Sequence, residues 1–140
     1  PESGWLKAAG SSIASAQVGG DYYDVRQISS GKWAALAADV SGKGVSAALV
    51  ASLLQGTFLM ADGAPGEIER MLHHLNRFLL ERTRGEKFAT IFHCEIDESG
   101  LLTWCNAGHC APLLVRTDGR VRSLQSTATP VGMVESAPFQ

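Results

Sequence analysis

Two aspartates stand where a divalent cation could be held between them. Asp21 follows Gly19-Gly20 and opens an aromatic and β-branched run, Tyr22 to Ile28, while Asp39 closes a second apolar run that resumes at Lys32. Ser29-Ser30-Gly31 between the runs is turn chemistry, so the two runs read as a β-hairpin. Folding the chain at that turn brings Asp21 and Asp39 together at the open end. Two carboxylates held that close repel one another unless a proton or a cation lies between them. Hard oxygen ligands on a rigid hairpin suit Mg²⁺ or Mn²⁺. Asp24 belongs to the opposite face of the same strand and is a lesser candidate. Spacing alone equally allows both aspartates to be strand-end or turn residues, and the two readings stand side by side at this point.

Other residue groups invite chemistry and mostly decline it. Ser41-Gly42-Lys43-Gly44 is similar to a phosphate-binding loop, but the spacing of that motif fails on both sides of Gly42. A glycine-rich approach to a helix, turning the backbone sharply away from Asp39, explains it better. A helix N-terminus there would still favour an anion nearby. Cys105-Asn106-Ala107-Gly108-His109-Cys110 offers soft ligands, yet a zinc site draws on four ligands, usually two separated pairs, and no second pair exists. Asn106 and His109 are then polar anchors of a loop. His93 sits inside an apolar run and reads as structural. His73 and His74 fall on a helix, one toward solvent and the other at the edge of the core. No nucleophile–base pair stands out.

The elements that must position these residues are legible in outline. Val45, Leu49, Leu53 and Met60, mixed with alanines, predict a buried helix after Gly44. Asp62 to Gly66 breaks it, and Pro65 suits the start of a second helix. That helix carries Ile68, Met71, Leu72, Leu75, Phe78 and Leu79 on one stripe and ends at Gly85. Strands follow at Phe88 to Ile96, Leu101 to Asn106, Pro112 to Arg116 and Val121 to Leu124, with turns at Asp97 to Gly100 and Thr117 to Arg120. Strands, then two helices, then a meander indicate an α+β fold with helices covering a sheet, in one domain over 140 residues.

Bulk properties narrow the function classes. Hydrophobic residues make up 45% and charged residues 19%, and the net charge is −2. No basic footprint for nucleic acid or an anionic membrane exists, and no apolar run approaches the roughly 18 residues of a membrane span. Three cysteines without a C-x-x-C pair suit reduced thiols in the cytoplasm.

Several short motifs then occur in order. They are Val18-Gly19-Gly20-Asp21-Tyr22-Tyr23-Asp24-Val25, Ala38-Asp39-Val40-Ser41-Gly42-Lys43-Gly44-Val45, Leu75-Asn76, Phe88-Ala89-Thr90-Ile91, Asn106-Ala107-Gly108-His109 and Pro130-Val131-Gly132. This series resembles the bacterial SpoIIE/RsbU branch of the metal-dependent, type-2C-like (PPM) protein phosphatases, from about Ile13 to Gly132. The resemblance implies an α-β-β-α sandwich of two antiparallel sheets flanked by helices, with two Mn²⁺ or Mg²⁺ ions in the complete domain. It implies that Asp21 and Asp39 are metal ligands, Asp39 bridging, with the backbone carbonyl of Val40 beside them. Asn76 and the Asn106–His109 loop match supporting positions, and no catalytic side chain beyond the metal ligands is implied. The implied reaction is hydrolysis of phosphoserine or phosphothreonine by a water that the cations activate. The implied partner is a phosphorylated regulatory protein of the anti-sigma-factor antagonist type.

The family pattern continues into a further threonine-aspartate-glycine ligand motif that does not occur before Gln140. Asp118-Gly119 lies in an earlier hairpin turn and does not replace it. With Pro1 in place of Met, residues 1–140 are therefore expected to be a partial phosphatase domain, weakly active or inactive alone, whose uncovered strand edge or apolar surface favours a homodimer. Rival functions are a non-catalytic interaction module of the same fold and a hydrolase of a small phosphoester. Because the helix after Gly44 is joined directly to Asp39, moving that helix is expected to move a ligand.

Overall fold

The computed structural model describes residues 4–13 and 19–139; Pro1, Val18 and Gln140 lie outside them. Strands β1 (Asp21–Ser29) and β2 (Lys32–Val40) form the expected hairpin. Helices α1 (Val45–Met60) and α2 (Glu67–Thr83) follow, and then β3 (Ala89–Asp97) and β4 (Leu102–Ala107). The two short strands β5 (Leu113–Val115) and β6 (Val121–Ser123) come last. One antiparallel sheet has the order β1-β2-β3-β4, and β5 and β6 pair as a second. The fold is α+β, as the order of elements predicts.

The sheet has two unlike faces because side chains alternate along each strand. Ala34, Leu36, Ala38 and Val40 of β2 are buried and join Leu54 and Phe58 of α1 and Leu72 and Leu79 of α2 in a single core. Asp39, between two buried neighbours, is exposed on the opposite face. Each aspartate of the candidate pair therefore takes its position from apolar neighbours packing under the helices.

Helix α1 departs from the expectation of full burial. Its buried residues are Ala47, Val50, Ala51, Leu54 and Phe58. Val45, Leu49, Leu53 and Met60, the residues on which the expectation rested, form its outer side, and Met60 is 84% exposed. Small alanines suffice against the close-packed sheet, so the bulkier residues are left outside. In α2 the expected stripe is buried at Met71, Leu72, Leu75 and Leu79, while Phe78 is exposed. Both His73 and His74 are exposed; His73 sets its ring edgewise to Phe139, with centroids 5.0 Å apart.

Arg26, on the helix-facing side of β1, ties α1 to the sheet. Its guanidinium donates to the carbonyls of Phe58 (3.0 Å) and Ala61 (2.7 Å) and also to that of Leu59. These carbonyls lie at the C-terminal end of α1, where the Phe58 oxygen also accepts from Ala61 N (3.2 Å), and a cation there complements the helix dipole. The same group lies 5.9 Å from the Phe58 ring centroid. His93 meets the Phe58 ring edgewise from β3. Its Nε2 is sealed from solvent with no hydrogen-bond partner. Burial, reinforced by Lys32, lowers the His93 pKa to about 4.

Two outcomes are expected. Arg26→Met keeps the aliphatic stem but removes these hydrogen bonds, and urea unfolding should show a loss of about 1–3 kcal/mol at unchanged m-value. His93 is neutral in the folded state down to about pH 4, whereas the unfolded chain binds its proton near pH 6.5. Stability is thus fullest above that higher value and is lost as pH falls through this window, by about 3 kcal/mol. In His93→Leu that part of the pH dependence should disappear from unfolding midpoints measured across pH 4.5–7, an interval chosen to span about the same window.

Candidate metal centre

The hairpin register places Asp21 directly opposite Asp39. Paired residues in an antiparallel sheet share a face with Cβ atoms about 5 Å apart. Both carboxylates are exposed, and neither has an ion pair among the described residues. Like charges directly opposite destabilise a sheet, so this juxtaposition favours a cation.

Glycine determines how closely the third expected donor approaches. Gly20 is buried, and its carbonyl accepts a hydrogen bond from Val40 N at 3.3 Å. A Cβ on Gly20 would stand 2.7 Å from the Val40 carbonyl oxygen and 3.2 Å from the Ala47 Cβ. Only a residue without a side chain lets the chain before Asp21 press against the end of β2 and the start of α1. The end of β2, with Asp39 and the Val40 peptide, is thereby held against the residue that precedes Asp21. This oxygen-only donor set suits Mg²⁺ or Mn²⁺ rather than zinc.

The loop after Val40 is clamped rather than free. Ser41 N donates to Phe88 O (2.9 Å), Phe88 N donates to Ser41 Oγ (3.0 Å), and Lys87 Nζ donates to Ser41 O (3.1 Å). Gly42 and Gly44 adopt φ of 88° and 79°, a region that favours glycine, and Gly44 precedes α1 without any side-chain cap. The segment is a tight approach to a helix, as its composition predicts.

The next strand extends the polar row. Thr90 of β3 lies opposite Asp39, and its Oγ1 shares a 2.8 Å hydrogen bond with His109 Nδ1. His109 N donates to Asn106 Oδ1 (2.7 Å), and the fully buried Asn106 donates through Nδ2 to Leu124 O (3.0 Å). Gly108 N donates to Ser126 Oγ at 3.0 Å. Asp21, Asp39 and His109 line one open hollow of about 260 Å³, with Tyr23 and Ser12 at its rim. Sequence spacing did not reveal the Thr90–His109 contact, because it depends on the pairing of β3 with the end of β4.

Other candidates stay apart from this site. Asp24 accepts from Tyr22 OH (3.1 Å) and from Val25 N (2.7 Å). Burial, then this carboxylate, push the Tyr22 phenol far up. Asn76 accepts from Gly132 N (2.7 Å) and donates to Val134 O (2.9 Å), pinning the segment after β6 to α2. Asp118 pairs with Arg120 in its own turn. Cys94, Cys105 and Cys110 are free thiols. Among the described residues no three His, Cys, Asp or Glu side chains group as a metal site.

Residues 29–140 match the family model of Stage II sporulation protein E (SpoIIE). The chain belongs to the SpoIIE family. Over 132 residues it is 29% identical to the phosphoserine phosphatase RsbP of Bacillus subtilis strain 168, covering 91% of this chain and 33% of that one. It also resembles the RsbU and RsbW domains of Rv1364c from Mycobacterium tuberculosis at 31% identity. That alignment has a TM-score of 0.71 over 91% of this chain and 36% of that chain. RsbX in complex with magnesium (TM-score 0.69, 15% identity, 90% of this chain and 61% of that one) shares the fold. So does the PP2C phosphatase domain of SpoIIE from Bacillus subtilis, at TM-score 0.66 and 21% identity over 89% and 38% of the two chains. The chain spans about a third of the length of the curated relative it matches.

Gly20→Ala is expected to force the end of β2 away from the chain before Asp21, costing about 1–3 kcal/mol in thermal or urea unfolding. Gly119→Ala is the comparison: a Cβ there meets no atom within 4 Å, although its positive φ adds strain.

Proposed function

We propose that this chain is a metal-dependent phosphoserine/phosphothreonine phosphatase domain in which Asp21, Asp39 and the Val40 carbonyl hold Mn²⁺ or Mg²⁺. The observation that carries the reading is the register pairing of two exposed aspartates without a counter-charge among the described residues. Two carboxylates are a sparse set for the two-ion centre that the family resemblance implies, which would need further oxygen donors, water among them. Cations bound there would bring the acidity of a water near neutral pH and offset the charge of the phosphoryl oxygens. The chain's own part is to fix both carboxylates on a rigid hairpin and to lock the following loop through Ser41, Lys87 and Phe88.

The shape of the site supports a protein substrate over a small phosphoester. Small-molecule sites enclose most of their ligand in a cleft, whereas this hollow is small, open and rimmed by exposed residues. A phosphorylated serine or threonine on the surface of a protein can reach it. The name of RsbP, a phosphoserine phosphatase, supports the same class. The substrate that the family resemblance implies is a regulatory phosphoprotein of the anti-sigma-factor antagonist type. Free thiols at Cys94, Cys105 and Cys110 support a cytoplasmic setting, and no helix among the described residues is long and apolar enough to cross a membrane.

The intact protein should release phosphate from a phosphoserine protein only when Mn²⁺ or Mg²⁺ is supplied. Asp21→Asn and Asp39→Asn should each lower turnover by at least about 100-fold, in line with several kcal/mol of metal catalysis. Turnover that survives both substitutions would remove these aspartates from the centre, and none from folded protein with metal present would turn the reading toward an interaction module.

A further inference from the structure

The phosphatase reading above leaves one chemical need unmet by the metal ligands, the proton that a serine or threonine oxygen requires as it leaves phosphorus. An alkoxide is a poor leaving group in water, so a positioned proton donor shortens the barrier, typically by 10²–10⁴-fold in rate. Resting on that reading, we propose that His109 is this donor, acting through Nε2.

Placement comes first. Asp21, Asp39 and Thr90 are register partners across three adjacent strands, each about 4.8 Å from the next. The imidazole of His109 is bound to Thr90 and lines the same hollow as the two carboxylates. A phosphoryl group held over Asp21 and Asp39 therefore has this ring within about one strand spacing on the β3 side.

Orientation comes second. Nδ1 is occupied by Thr90 Oγ1 at 2.8 Å, and Nε2, at the other edge of the ring, makes no hydrogen bond among the described residues. A hydroxyl can donate or accept. Thr90 can thus keep hold of Nδ1 both before and after Nε2 gives up its proton. The backbone beneath is fixed independently, by Asn106 Oδ1 on His109 N and by Ser126 Oγ on Gly108 N. A histidine serving only as a loop anchor would not need its ring held as well.

Rival donors are worse placed. The Tyr22 hydroxyl is committed to Asp24, and its phenol is held protonated by burial and by that carboxylate. The serine hydroxyls at the rim are feeble acids. His93 is sealed inside the core with its Nε2 shut off from solvent. In the proposed step water oxygen bonds to phosphorus as the bond from phosphorus to the serine oxygen breaks. The electron pair of that bond stays on the serine oxygen, which takes the proton from Nε2. The products are a serine hydroxyl and inorganic phosphate, and His109 regains a proton from solvent, which receives the one lost by the attacking water.

The test compares a phosphoserine peptide with p-nitrophenyl phosphate, whose leaving phenolate is stable without a proton, using the intact protein with Mn²⁺. In His109→Gln the ratio of phosphoserine to p-nitrophenyl phosphate turnover should fall by about 100-fold. Mn²⁺ affinity, read by calorimetry, should stay close to that of the unsubstituted protein. Thr90→Val retains the imidazole but removes its hydroxyl partner, and should move the ratio the same way by a smaller factor. This second variant keeps the test decisive if His109→Gln does not fold. An unchanged ratio, whether both rates fall together or neither falls, overturns the proposal. A large loss of Mn²⁺ affinity also overturns it, because His109 would then be a metal ligand. Failure of the underlying reading looks different: the unsubstituted protein would then show no Mn²⁺-dependent turnover of either substrate.

Discussion

The register of the first hairpin is the constraint on which the rest of the site depends. Asp21 faces Asp39 because pairing runs without a slip from there to Gln27 and Trp33, and the one irregularity falls beside the turn, between Gln27 and Ser29. Strand side chains have a period of two, so a one-residue slip would send Asp39 into the core and Val40 out to solvent. Burial prevents this. Ala34, Leu36, Ala38 and Val40 are all at most 4% exposed, and moving them to the solvated face would forfeit the core. Apolar packing on one face of β2 thus holds a charged, repulsive arrangement on the other.

Around that hairpin the remaining elements act as fixtures. Arg26 fastens the C-terminal end of α1 to β1, and the Ser41 clamp fastens the approach to its N-terminal end to Lys87 and Phe88. Helix α1 is therefore held at both ends while one side of it stays apolar and exposed at Val45, Leu49 and Met60. Asn76 and Asn106 perform a similar task for the later segments. Each is buried and satisfied through backbone contacts, Asn76 to the distant Gly132 and Val134, and Asn106 to the nearby His109 and the distant Leu124. A buried amide that satisfies its partners specifies one arrangement of the loops, since breaking it leaves several polar groups unpaired.

Much of this was legible in the sequence, for reasons that are themselves physical. The hairpin and its aspartate pair follow from local turn chemistry midway between two apolar runs. The α2 stripe follows from a strong 3.6-residue period. Helix α1 lacks such a period, being apolar nearly all round, so its type was legible but its buried side was not. The Arg26 cap, the Lys87 clamp and the Thr90–His109 bond join residues far apart in sequence, and no local pattern announces them. His73 and His74 show the same limit: both are exposed, and the contact of His73 with the core residue Phe139, far away in sequence, follows from no local pattern.

The central claim is that a divalent cation binds where β1 and β2 begin and end. Paramagnetic Mn²⁺ broadens the NMR signals of nuclei near it, so a titration followed by amide ¹H–¹⁵N spectra reads its position without any enzymatic assay. Selective broadening of Gly20 to Tyr22, Asp39 to Ser41 and Thr90, abolished by Asp39→Asn, is the predicted result. Broadening centred elsewhere, for instance at His73 and His74 or in the Asp97 turn, or none at saturating Mn²⁺, would contradict the account.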